Sequence, residues 1–396
     1  MLSASCDTKR CDMNGKKVSA FIAFTVIGAL ALAGCGAGGG GEADSKDATV
    51  GLAMPVTGPD AALAAPMIAA IELAFDEANK SGDLPGVLTL DVQDDTSAPA
   101  VAASLARRFC GDSATVAAIA NYASSLTLNS QPVYNDCGMT QIVPTASNNT
   151  LTTKGYENFF RVTAKNSDAV VGSVDWIVAN TDAKSVATID TNDASTTDAA
   201  TQFADAAKDA GLEVTDSIHV TANQGDFRGA ITGLIADKPD LIYLATFYND
   251  GGLIVKQARE LGYTGEFFGL DSNDSPDFIE IAGAEAAEGF RIASLGLDPT
   301  QNPEASEFVK AFTDSYGSAP NSAASQSYDT ANVLIEAWKS IGGGTDREAL
   351  MKAVAETSLE GVGGPISFDE NGDMKEPQVG INLVSGGEWQ FVGAVE

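Results

Sequence analysis

The sequence predicts an α/β protein of two lobes, each a mainly parallel sheet with helices on both faces. Three observations lead there. Short β-rich runs alternate with helical patterns from residue 49 onward, and the same alternation starts afresh after residue 165. No short internal period repeats, which argues against a solenoid. A βαβα rhythm gives parallel strands with helices laid over both faces of the sheet. At 396 residues the chain suits about two domains.

The first segment, residues 1–34, reads as a signal peptide. Lys9, Arg10, Lys16 and Lys17 precede an apolar run from Val18 to Ala33, and small residues stand before Cys35. That run is shorter than the roughly 20 residues of a bilayer span. Leu32-Ala33-Gly34-Cys35 resembles a bacterial lipobox, which implies cleavage before Cys35 and a lipid on its thiol. Met13 is a second candidate start beside Met1. Residues 35–47 are glycine-rich, then small and polar, and serve as a flexible tether.

Thr49 to Met54 is an apolar strand, followed by a helix from Ala62 to Lys80 with apolar Met67, Ile71, Leu73 and Phe75. Strand Leu88 to Val92, helix Pro99 to Phe109 and strand Thr115 to Asn121 continue the pattern, with a further strand at Thr140 to Val143. After residue 165 come helix Asp168 to Asn180, strand Ser185 to Ile189, helix Asp198 to Ala210 and strand Glu213 to Val220. Helix Phe227 to Ile235, strand Leu241 to Ala245, helix Gly251 to Leu261 and strand Glu266 to Gly269 follow. Glu304 to Tyr316, Tyr328 to Ile341 and Arg347 to Thr357 are consecutive helices. Asn371-Gly372, between Pro365 to Phe368 and Val379 to Val384, is a hairpin signal.

Charge narrows the partners. There are 23 Lys and Arg against 54 Asp and Glu, a net charge of −31. Such a surface repels nucleic acid and anionic lipid headgroups. Of five cysteines, Cys6 and Cys11 fall in the signal segment and Cys35 takes the lipid. Cys110 and Cys137 each end a helical pattern just before a strand; if those strands are neighbours, a disulfide joins them, and otherwise they are buried thiols.

Motifs for chemistry are few. Gly34-Cys35-Gly36-Ala37-Gly38-Gly39 satisfies G-x-G-x-x-G but opens no helix after a strand, so it is no nucleotide loop. His219, the only histidine, has no paired Cys or His and is read as structural. Asp369-x-Asn371-x-Asp373 lacks the rest of a calcium loop and is read as a polar turn. No metal, cofactor or catalytic residue is assigned. Three strand ends are more telling, because ligands of open α/β sheets bind at strand carboxyl ends. Tyr122-Ala123-Ser124-Ser125 and Thr145-Ala146-Ser147 offer hydroxyls, and one helix start, to an anion. Asp271 offers a carboxylate to a cation; Asp274 or Ser275 is read as a cap of the helix near Pro276.

At these residues the chain resembles the substrate-binding proteins of branched-chain amino-acid ABC transporters, over nearly all of residues 48–396. Thr57-Gly58-Pro59, Lys154-Gly155-Tyr156 with Phe160-Arg161, Gly225-Asp226-Phe227, Gln257-Ala258-Arg259 and Phe368-Asp369 to Gly372-Asp373 match that family's segments in order. The resemblance implies a type I periplasmic binding protein, a two-lobed Venus flytrap. Residues 48–165 and 294–360 would form the N-terminal lobe, and 166–293 and 361–396 the C-terminal lobe. It implies that Ser124, Thr145 and Ser147, with Ala146 between them, hold the ligand's charged groups from the first lobe. Asp271 pairs with its ammonium from the second. The pocket departs from the family at Leu63, Tyr122, Ala123, Ser195, Phe247 and Ala323, and the change at Ala123 removes the family's usual disulfide.

The expected protein is therefore not an enzyme. It is a monomeric, lipid-anchored binding protein outside the cytoplasmic membrane that captures an amino acid, branched-chain or related, by closure and delivers it to an ABC permease and its ATPase. The alternatives are a binding protein for an amide, urea or aromatic acid, or a lipid-anchored sensor. A hydrolase lacks its nucleophile–base pair.

Overall fold

A computed structural model describes residues 45–395. The signal peptide, the lipidation of Cys35 and most of the tether fall outside the described residues. The first sheet joins β1 (Ala48–Met54), β2 (Leu88–Asp94), β3 (Thr115–Ala120), β4 (Thr140–Val143) and β5 (Phe159–Arg161), all parallel, in the order β2-β1-β3-β4-β5. Strands β3 and β4 are buried along their whole length, as suits a sheet covered on both faces; β3 is small and apolar after Thr115, and the Gln141 side chain of β4 donates to the Ala120 carbonyl. The crossovers are α1 (Ala61–Ser81), α2 (Pro99–Gly111) and α3 (Ser124–Asp136). Met67, Ile71 and Phe75 stand four residues apart on α1 and bring one stripe of it onto the core.

The second sheet follows α4 (Asn166–Asn180). It contains β6 (Ser185–Asp190), β7 (Glu213–His219), β8 (Leu241–Ala245), β9 (Glu266–Leu270) and β10 (Arg291–Ser294), linked by α5 (Ala194–Asp209), α6 (Arg228–Leu234), α7 (Tyr248–Glu260), α8 (Pro276–Ala282) and α9 (Ala284–Ala287). These five strands are parallel. On the face toward α5, Phe203 stacks on Tyr243 with ring centroids 3.8 Å apart.

The chain then returns to the first lobe. Helices α10 (Ser306–Tyr316), α11 (Ser322–Ser340) and α12 (Arg347–Ala355) precede the ribbon of β11 (Ser358–Gly361) and β12 (Gly364–Ser367). Helix α11 lies along α1, where Leu334 and Trp338 share a core with Met67 and Ile71. Ile366 and Phe368 fill the same core, so the last crossing runs through residues 369–379, later than the 360/361 boundary drawn from sequence. Finally β13 (Gly380–Ser385) and β14 (Glu388–Ala394) add antiparallel to β10, giving the order β14-β13-β10-β9-β8-β6-β7. The two-lobed α/β architecture is the one the sequence predicts.

The hairpin around Asn371-Gly372 is not. Residues 365–367 pair with β11 and residues 380–385 with β10 and β14, so the flanking runs enter different sheets. Only the Phe368–Met374 bridge remains of the hairpin. The reason is docking: at Gly372, with φ +82°, an added Cβ would stand 2.0 Å from the Phe159 carbonyl oxygen. The turn is pressed against β5 and sends the chain across to the other lobe. Asp369 accepts the amides of Asn371 and Asp373, and Asp373 pairs with Arg161, so the turn's carboxylates are committed to structure.

Cys110, near the end of α2, and Cys137, just past α3, are bonded, with Cα atoms 6.0 Å apart. The strands that follow them, β3 and β4, are neighbours. The bridge closes a separation of 27 residues. On the chain-entropy account that stabilises the fold by about 3–4 kcal/mol. Replacing both cysteines by alanine is expected to lower the unfolding free energy by that amount in denaturant titration, and thiol assay of the unreduced, unfolded protein should find neither of them free.

Candidate functional site

The carboxyl ends of β3, β4, β6, β8 and β9 all open on one cavity between the lobes. Ser124 is the first residue of α3, separated from the end of β3 by three residues, and is 2% exposed. No side chain caps this helix, and its first internal bond runs from the Thr127 amide to the Ala123 carbonyl. The amides of the first turn are thus left for a ligand. The Asn148 amide donates to the Ser124 hydroxyl oxygen at 3.0 Å, which leaves the hydroxyl hydrogen to donate elsewhere. Thr145 spends its hydroxyl hydrogen on the Tyr122 carbonyl at 2.9 Å. Ser147, 6% exposed, also lines the cavity.

Across the cavity stands Asp271, at the end of β9 in a short turn over Asp271–Asn273. The turn is held from behind. Asn273 donates to the carbonyls of Thr246 at 2.9 Å and Leu270 at 3.2 Å, and Ser272 donates to Thr246 at 2.8 Å. Asn273 fits only because residue 251 is glycine: an added Cβ there would come within 2.0 Å of Asn273 Oδ1. Burial pushes the Asp271 carboxyl up from its ordinary 3.8 to about 7, the backbone amides of Ser272 and Asp271 oppose the shift, and the charge of Asp274 adds to it. A carboxylate so desolvated and unpaired is suited to a cationic guest.

The cavity is shut by contacts on both flanks. Tyr248 donates to the Pro59 carbonyl at 3.3 Å on one side; Asn148 donates to the Ala194 carbonyl, and Asn149 to Gln202, each at 2.8 Å, on the other. Leu63 packs against the cores of both lobes, and Phe247 reaches from the second lobe onto the first.

Of the residues singled out in the sequence, Leu63, Tyr122, Ala123, Ser124, Thr145, Ser147, Ser195, Phe247, Asp271 and Ala323 line this one cavity. Ala146 does not. It is 1% exposed, and its carbonyl is taken by the buried Arg161 guanidinium at 3.3 Å. Arg161 also holds the Asn148 carbonyl at 3.1 Å, so it fixes the loop that presents Ser147. His219 is not in the wall; its Nδ1 sits 2.6 Å from Asp190 Oδ2. The cavity further includes Met67, Thr196, Leu270, Ser272, Asp274, Asn321 and Ser322. Asp274 is not the cap it resembles in sequence: Ser275 Oγ accepts the Asp277 amide at 3.1 Å, and Pro276 opens α8.

Residues 47–385 match the periplasmic binding protein family. The chain belongs to that family. It is a family of binding proteins, not of enzymes. Among curated relatives, the "Leu/Ile/Val-binding protein homolog 1" of Brucella suis is 29% identical over 355 residues, covering 89% of this chain and 94% of the relative. The "Leucine-, isoleucine-, valine-, threonine-, and alanine-binding protein" of Pseudomonas aeruginosa is 26% identical over 327 residues, covering 82% and 87%. Among solved structures, a leucine binding protein from Thermotoga maritima superposes with a TM-score of 0.82 at 26% identity, covering 88% of this chain and 99% of the other.

Proposed function

We propose that this protein is the extracytoplasmic substrate-binding component of an ABC importer and captures an α-amino acid, branched-chain or related, by closing its lobes. The observation that carries this is the opposition of Asp271, unpaired and desolvated, to the free amides of α3 with Ser124 and Ser147. One side receives an ammonium and the other a carboxylate, so a zwitterion bridges the lobes and its binding energy is realised only on closure. The names of the relatives from Brucella and Pseudomonas favour the same ligand class. The Leu32-Ala33-Gly34-Cys35 sequence favours a lipid anchor on the outer face of the cytoplasmic membrane, and the family favours delivery by a monomer to a permease driven by an ATPase.

A thermal-shift screen of the purified protein against the common amino acids tests the reading, since a ligand bound only to the folded state raises the melting temperature. At least one α-amino acid should raise it, and its α-keto acid, lacking the ammonium, should not. A rise with aromatic acids or urea alone would overturn the amino-acid assignment.

A further inference from the structure

Tyr248 joins the lobes without touching the cavity. It is the first residue of α7, its hydroxyl donates to the Pro59 carbonyl at 3.3 Å, and neither residue lines the cavity wall. Both ends of this bond are fixed within their own lobes. The Tyr248 ring is 6% exposed, in the core that Phe278 and Phe290 share. Pro59 stands in the loop after β1, where Asp94 accepts the amides of Val56 and Thr57 at 2.9 and 3.2 Å and the Thr57 hydroxyl as well. A bond between two groups already in place costs little ordering entropy to form. The Asn149–Gln202 contact is different, for it sits beside the first crossing: Asn149 Oδ1 also accepts the Ser167 amide at 3.2 Å. Residues next to a crossing separate least when the lobes part.

The surroundings of the Tyr248–Pro59 bond oppose it. Asp60 follows Pro59 directly, Asp250 lies in the first turn of α7, and Asp277 in the first turn of α8. Burial, then the charges of Asp277 and Asp60, hold the Tyr248 hydroxyl above its ordinary 10, so it stays protonated and donates. Burial and the charge of Asp60 also raise the Asp250 carboxyl, against the Asn223 amide that it accepts. Among the described residues none of these three carboxylates has an ion-pair partner. Closure therefore sets like charges around a neutral hydrogen bond, and salt screens the repulsion.

We propose that Tyr248 is a latch: a positioning residue that sets the affinity for every ligand by holding the lobes shut, with Asp60 weighing against it. The inference rests on capture by closure, the reading above, and names what sets its strength. In a protein that is mainly open when empty, a change in the closing equilibrium passes in full to the apparent affinity. It passes by the same factor whatever the ligand, because no ligand touches the latch.

The test is titration of leucine and of valine into the purified protein and two variants. Tyr248→Phe keeps the ring and should weaken both amino acids by the same factor, about three- to tenfold. The loss should appear in the dissociation rate by stopped flow. Asp60→Asn should act in the opposite direction, tightening both about twofold in about 0.01 M salt and less in about 0.15 M salt. Unchanged binding by Tyr248→Phe would overturn the inference. So would a loss that differs between leucine and valine, which would mean that the neighbouring Phe247 had shifted in the cavity wall, or weaker binding by Asp60→Asn. If benzoate binds and neither amino acid does, the amino-acid reading falls, and the latch stands or falls on the same two variants titrated with benzoate. Binding of none of the three would overturn both.

Discussion

Asp271→Ala is expected to weaken amino-acid binding by about 3–5 kcal/mol, because it leaves an ammonium buried in a closed cavity without its counter-charge. On the proposed reading no other group takes its place in that role, since the hydroxyls of Ser124 and Ser147 face the ligand's carboxylate. Ser124→Ala should cost only about 1–2 kcal/mol, because the free amides of α3 still hold that carboxylate. Titration calorimetry with the best ligand from the screen measures both, and the order of the two losses is the sharper test. Equal binding by Asp271→Ala would remove the ammonium from the site.

The same residue makes binding depend on pH. In the empty cleft burial raises the Asp271 carboxyl to about 7. An ammonium ligand requires the ionised form, so affinity should fall about tenfold per pH unit below 7 and level off above it. Stability moves the opposite way. A carboxyl whose folded value lies above its ordinary 3.8 contributes stability below about pH 4 and loses it as pH rises through 7; burial acts likewise on Asp274 and Asp329. The free protein should therefore melt lower at pH 8 than at pH 5, with the ligand's protective effect larger at pH 8.

Asp373→Ala is expected to cost about 3–5 kcal/mol of folding stability. Its carboxylate pairs with Arg161 Nε at 2.6 Å; Arg161 is fully buried, so removal of Asp373 strands a charge in the interior. Asp373 also accepts the Thr152 hydroxyl at 3.0 Å and lies 3.4 Å from the Lys165 ammonium. Arg161 and Lys165 flank the first crossing between the lobes and Asp373 stands at the start of the last, so the cluster ties two crossings together. Replacing both partners at once, as Arg161→Met with Asp373→Leu, should recover much of the loss, because no charge is then left unpaired. Denaturant unfolding of the three proteins decides it. A mild loss in Asp373→Ala would mean that water reaches Arg161 too freely for the pair to matter.

Much of the cavity was legible in the sequence because strand ends announce themselves. Asp271 follows an apolar run directly, and Ser124, Ser195 and Phe247 stand within a few residues of the ends of others, so topology alone gathers them. Asp274 was obscured by its neighbour. Asp and Ser suit the same helix cap, and only the position of Ser275 Oγ over the Asp277 amide separates them. Asn382, which donates to Asp274 from a late strand, gave no signal at all. Its place between Thr145 and Ser147 points to Ala146 as well, whereas the backbone there turns its carbonyl to Arg161. The Asn371-Gly372 turn misled because a turn's residues specify its shape and not the sheets its flanks enter.

The first lobe is completed by the last part of the chain. Helix α11 covers α1, and Ile366 and Phe368 fill the core that β1 and α1 began. Between these parts runs nearly the whole second lobe, which itself lacks β13 and β14 until the end. No polypeptide cut short before residue 322 has either lobe whole. Contacts between such distant segments make folding slow, since the intervening loop must be closed before they form. A nascent chain of this order stays unfinished until synthesis is nearly complete, and on the export reading that delay suits a polypeptide that crosses the membrane unfolded and assembles on the far side.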